Sequence, residues 1–231
     1  NRAVHYGGGI YNEGALTITG GNISGNTGNF GGGIYSEGTL TITGGNITGN
    51  SSATYGGGIM TYTPANITVG GSAIINGNLS THSSDGIEES NIHLNVTSDG
   101  TQAKLQISET TPLTNSASIG ITVWLASGWG ENTDISTFID GLTADNAKQI
   151  FATNSGAANR GAVYYITAED GKFVTTTEKP ATGNTIPNST LTWEINDGVL
   201  TITGDDEAFP ECWVNDAAVE WCDKKDEVKE V

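Results

Sequence analysis

The stretch FGGGIYSEGTLTITGGNITGN, Phe30 to Asn50, decides the fold because close copies of it lie on both sides. YGGGIYNEGALTITGGNISGN starts at Tyr6 and YGGGIMTYTPANITVGGSAIINGN at Tyr55, so the spacings are 24 and 25 residues. A repeat of this length marks a solenoid, whose units cannot bury their apolar sides alone and must stack. Within the first copy, β-prone stretches at Gly9 to Tyr11, Leu16 to Thr19 and Asn22 to Ser24 alternate with glycine turns. Residues 6 to about 79 are therefore read as three coils of an all-β, right-handed parallel β-helix, a three-faced solenoid.

Alternation assigns the faces. Ile10, Leu16, Ile18 and Ile23 recur as Ile34, Leu40, Ile42 and Ile47, then as Ile59, Ile67, Val69 and Ile75. These twelve are the expected core, each stacked on its counterpart about 4.8 Å away. Asn26, Asn50 and Asn78 recur at one corner and are expected to form a side-chain ladder. NRAVHY, residues 1–6, matches the NTGNF and NSSATY junctions, so the chain is expected to begin within a preceding coil, with further coils N-terminal in the intact protein.

Beyond Asn78 the repeat fades, but NIHLN (91–95), AKLQIS (103–108) and ASIGITVW (117–124) keep short alternating strands and read as irregular C-terminal coils. ADNAKQIF, 144–151, reads as a short helix, and Ala162 to Thr176 as a hairpin turned at Asp170 and Gly171. The β-helix is thus placed at 1–177 and a Pro/Thr/Asn-rich linker at 178–190. A small C-terminal unit at 191–231 follows, with a hairpin turned at Asp197 and Gly198 and a helix through Ala217 to Val228.

Of 33 glycines, 21 fall within residues 1–78, too periodic for a flexible linker. The net charge of −17 is weighted to the C-terminal end, and residues 3–103 contain no Lys or Arg. Nothing in the coils would neutralise phosphate, which argues against nucleic acid or an anionic membrane as partner. No apolar run approaches the roughly 18 residues of a membrane span, so no membrane insertion is expected.

GGGIYSEGTLTITGGNITGN and its copies resemble the β-helix coils of adhesin-like surface proteins from anaerobic gut bacteria. The strand NIHLN, the segment ASIGIT and a closing hairpin with Asp-Gly are similar to that family's ending. LTWEINDGVLTITG resembles the opening of a BspA-like leucine-rich-repeat module, whose repeats would follow C-terminally. The resemblance implies a bacterial extracellular or cell-surface location, with glycans or host surface proteins as partners. It carries no catalytic motif and implies no cofactor.

The candidate site residues each have a plain structural reading. Tyr11 and Tyr35 alternate with inward isoleucines and are expected to be exposed, either as a sugar-stacking platform or as packing; Tyr6, Phe30 and Tyr55 form a second aromatic column before each GGG. Thr17, Thr19, Thr41 and Thr43 are expected on one outward face, a grid spaced about 4.8 Å between coils and about 7 Å along the strand. That is an ice-binding geometry, although threonine is also an ordinary exposed strand former. Trp124 and Trp129 are a further aromatic pair near the irregular end.

Hydrolysis would need paired carboxylates, and residues 1–84 offer Glu13 and Glu37 alone, at equivalent turns. Lys104, Lys148 and Arg160 could serve a lyase only from the irregular end, so an enzyme site is placed there, around Trp124 to Asp145, as the rival reading. GGGI lacks the aspartate of calcium-binding β-rolls, and Asp205, Asp206 and Glu207 read as an acidic loop, so no metal is expected. Cys212 and Cys222 are either a disulfide or two thiols. The favoured reading is a non-catalytic, adhesin-like or glycan-binding β-helix, with a structural spacer as close rival.

Overall fold

A computed structural model of the chain describes residues 1–61, 67–81, 87–94, 103–123, 133–154, 162–169 and 171–177, together with 184–185, 192–196 and 199–203. They belong to two units, Asn1–Lys179 and Pro180–Val231.

The first unit is a parallel β-solenoid of about four turns. Coil 1 contains β1 (Ile10–Asn12), β2 (Ala15–Ser24) and β3 (Thr27–Phe30), and coil 2 contains β4 (Ile34–Ser36), β5 (Thr39–Thr48) and β6 (Ser51–Tyr55). Coil 3 contains β7 (Ile59–Thr61), β8 (Ile67–Val69), β9 (Ile74–Asn76) and β10 (Leu79–Ser80). After β11 (Glu88–Glu89), coil 4 runs through β12 (Ile92–Leu94), β13 (Leu105–Ile107) and β14 (Ser118–Val123).

The apolar columns follow the repeat. Row 1 stacks Ile10, Ile34, Ile59, Ile92 and Ile121; row 2 stacks Leu16, Leu40, Ile67 and Leu105 beside Ile18, Ile42, Val69 and Ile107. Row 3 stacks Ile23, Ile47, Ile75 and Ile119. The eight expected core residues of coils 2 and 3 are buried, whereas Ile10, Leu16, Ile18 and Ile23 in coil 1 are only partly so. Stacking of like on like, rather than a wide interior, is what removes these side chains from water.

The asparagine ladder is present. Asn26 Nδ2 donates to Asn50 Oδ1 and Asn50 Nδ2 to Asn78 Oδ1, both at 2.9 Å. Each Oδ1 also accepts the backbone N–H of the asparagine in the neighbouring coil. Asn91 adds a fourth rung, accepting from Asn78 Nδ2 at 3.0 Å. The third glycine of each GGG lies against this ladder: a Cβ on Gly33 would fall 2.7 Å from Gly58 O and 3.1 Å from Asn50 Nδ2.

The sequence pattern predicts three strands per coil, and the structure adds a fourth row. β3, β6 and β10 pair in parallel outside the core columns, with residues 1–6 alongside through bridges Arg2 to Thr27 and Tyr6 to Phe30. Polar, small sequences such as SSATY conceal this row because no apolar alternation marks it. β11 closes its far edge in antiparallel register. Coil 4 omits the row: Ile119 continues row 3, Ile121 continues row 1, and Gly120 alone joins them.

The irregular end closes the stack. β15 (Ile139–Asp140) continues row 2, and α1 covers only Ala144–Ala147, opened by a Thr143–Asn146 capping box. The helix expected over 144–151 is thus cut short, because Ile150 is drawn into the row 3 column as the start of β16 (Ile150–Asn154). β17 (Val163–Glu169) and β18 (Lys172–Thr176) form the hairpin that completes this sheet. In the second unit, β19 (Asn184–Thr185), within the stretch expected to be linker, pairs with β20 (Thr192–Asn196), which pairs with β21 (Val199–Thr203). The helix expected through Ala217 to Val228 lies outside the described residues.

Candidate functional site

Row 1 carries Tyr11, Tyr35, Met60, His93 and Thr122 in register on the face opposite the isoleucine column. Row 4 brings Tyr6, Phe30 and Tyr55 to that same face. The two aromatic columns of the sequence are therefore one cluster. Tyr6 lies 4.5 Å from Tyr35 and 6.2 Å from Tyr11, Tyr11 lies 5.6 Å from Tyr35, and Tyr55 stacks on His93 at 4.6 Å, all between ring centroids.

This geometry corrects the expected exposure of Tyr35. It is 3% exposed, because row 4 covers it and the equivalent residues of the adjoining coils flank it. Tyr6 and Tyr11 remain open at 47% and 45%. They form a two-ring ridge whose planes differ by 26°. Alternation tells which face a residue occupies but not what covers that face.

Two carboxylates border the ridge. Tyr11 Oη donates to Glu13 Oε1 at 3.4 Å, and its pKa is pushed up to about 12, first by loss of surrounding solvent, then by Glu37 and Glu13, which disfavour a phenolate. The sequence signal for this arrangement is the repeated spacing Tyr11–Glu13 and Tyr35–Glu37. Exposed rings beside hydrogen-bond acceptors can stack on a sugar face and receive its hydroxyls.

The threonine grid is not formed. Thr17, Thr41 and Thr68 are in register, but a bulge near the glycine pair gives Thr19 the partner Gly44 in place of Thr43. The regular two-dimensional spacing of an ice-binding face is lost with that register shift.

At the irregular end, Lys104 pairs with Asp140 at 3.1 Å and Lys172 with Asp134 at 3.3 Å. The Asp134 carboxyl is held below its ordinary pKa, first by the Ser136 backbone N–H, then by the Ser136 side chain and Lys172. A general acid needs the opposite shift. Among the described residues no group of three or more His, Cys, Asp or Glu is placed to hold a metal. Trp124, Trp129, Arg160, Asp205, Asp206, Glu207, Cys212 and Cys222 lie outside the described residues.

No family model, curated protein or solved structure matches this chain.

Proposed function

We propose that this chain is a non-catalytic extracellular or cell-surface β-helix, adhesin-like, that contacts glycan or host surface protein through the Tyr6–Tyr11 ridge. The observation that supports this reading most is the pair of half-exposed rings, 6.2 Å apart with planes 26° from parallel, flanked by Glu13 and Glu37. Each ring offers a sugar face, and the carboxylates offer acceptors for its hydroxyls. The ridge lies on coil 1, where Tyr6 of row 4 meets Tyr11 of row 1. Many copies on a surface would then make weak contacts multivalent.

The stalk reading is favoured by a specific observation of its own. Tyr35 is buried and Tyr55 stacks on His93, so most of the aromatic cluster stabilises the wall of the solenoid. A glycan array combined with a polysaccharide depolymerisation screen separates the alternatives. Array binding without release of reducing ends supports the binder; a blank array supports the stalk; release of reducing ends overturns the non-catalytic reading.

A further inference from the structure

Row 3 ends on one corner in each of the first three coils. Ser24–Gly25, Thr48–Gly49 and Asn76–Gly77 are equivalent there, and their glycines have φ of 65°, 63° and 62°. Asn76–Gly77 is the one Asn–Gly pair in the chain. Glycine has no side chain to hinder approach of its backbone nitrogen to the preceding side-chain carbonyl, so such a pair is chemically predisposed to cyclise.

Two bonds oppose that reaction. Gly77 N–H donates to Glu89 Oε1 at 3.1 Å, and Asn76 Nδ2 donates to Ser118 Oγ at 3.0 Å. The topology explains why a carboxylate is used. In coil 2, Gly49 N–H donates to Gly77 O of the next coil at 3.2 Å. Coil 4 has no such corner, because Gly120 carries the chain directly from row 3 to row 1. Glu89, on β11, supplies the oxygen in its place, and the same Oε1 accepts from Asn91 Nδ2 at 2.9 Å.

We propose that Asn76–Gly77 is a spontaneous deamidation site, held closed in the folded protein by Glu89. When that contact opens, Gly77 N loses its proton to base and attacks Asn76 Cγ. The N–Cγ bond forms, the Cγ–Nδ2 bond breaks, and the side-chain nitrogen takes a proton from solvent and leaves as ammonia. Water then opens the succinimide at either carbonyl, giving aspartate or isoaspartate, with nothing oxidised or reduced. Isoaspartate routes the main chain through the former side-chain methylene of residue 76, two positions before Asn78. Asn78 is thereby displaced from its bonds to Asn50 and Asn91, and a transient opening becomes a permanent break in the ladder on both sides of coil 3.

The test is peptide mapping by mass spectrometry after incubation at mildly alkaline pH, with the free peptide IINGNL as reference. Wild-type protein should convert Asn76 far more slowly than the peptide. Glu89→Ala should accelerate it roughly tenfold, as expected for local opening after loss of a charge-assisted hydrogen bond. Glu89→Gln, which keeps an acceptor oxygen, should stay close to wild type. A wild-type rate equal to that of the peptide, or a Glu89→Ala rate equal to that of wild type, overturns the proposal. Should Glu89→Ala lose its β-sheet circular dichroism, Ser118→Ala takes its place: a faster Asn76 conversion supports the proposal and an unchanged one overturns it.

Discussion

Asn50 donates its side-chain amide to Asn78 Oδ1 at 2.9 Å across one coil, and the same oxygen accepts the Asn50 backbone N–H at 3.0 Å. Asn78 Nδ2 in turn reaches Ile47 O, Asn76 O and Asn91 Oδ1. One fully buried side chain therefore satisfies polar groups from three coils. Asn78→Ala should cost about 3 kcal/mol or more, since each buried group left without a partner costs about 1–3 kcal/mol. Asn46, exposed and with its side-chain amide donating to Asn22 Oδ1, should tolerate alanine within about 0.5 kcal/mol. Urea unfolding of the two variants checks the contrast.

The glycines should divide by what surrounds them. Gly33→Ala places a Cβ against Gly58 O and the Asn50 amide and should destabilise by about 1–3 kcal/mol, the range for forcing extra volume into a packed interior. Gly14 meets nothing within 4 Å and has an ordinary φ, so Gly14→Ala should be neutral or stabilise by about 0.4–1 kcal/mol. Equal losses at both positions would contradict the assigned packing.

Tyr11 should titrate late. Its pKa of about 12 in the folded chain lies above the ordinary tyrosine value of 10.0, so its contribution to stability is fully present below pH 10 and is lost as pH rises through about 12. Ultraviolet difference titration should show a tyrosine signal in that range that Glu37→Gln moves back toward the ordinary value.

Much of the architecture is legible in the sequence because apolar residues at fixed spacing report a column directly. Aligning the repeats pairs Ile34 with Ile59 and Asn50 with Asn78, and the solenoid stacks the same pairs. Three features are hidden for physical reasons. Row 4 carries no apolar alternation, so β6 reads as a polar junction. Tyr35 looks exposed along its own strand and is buried only by that row. Asn91 and Glu89 complete the ladder from outside the repeat register, so periodicity does not reveal them.

The functional account rests on Tyr6 and Tyr11 as the open rings of the cluster. Its most direct test is glycan-array binding of the wild-type chain beside the Tyr6→Ala/Tyr11→Ala variant, with circular dichroism confirming that both remain folded. The account predicts that glycans bound by wild type lose about tenfold in affinity when both rings are removed, since aromatic contacts contribute about 0.5–1.5 kcal/mol each beyond the area they bury. An unchanged array profile for the double variant would contradict it.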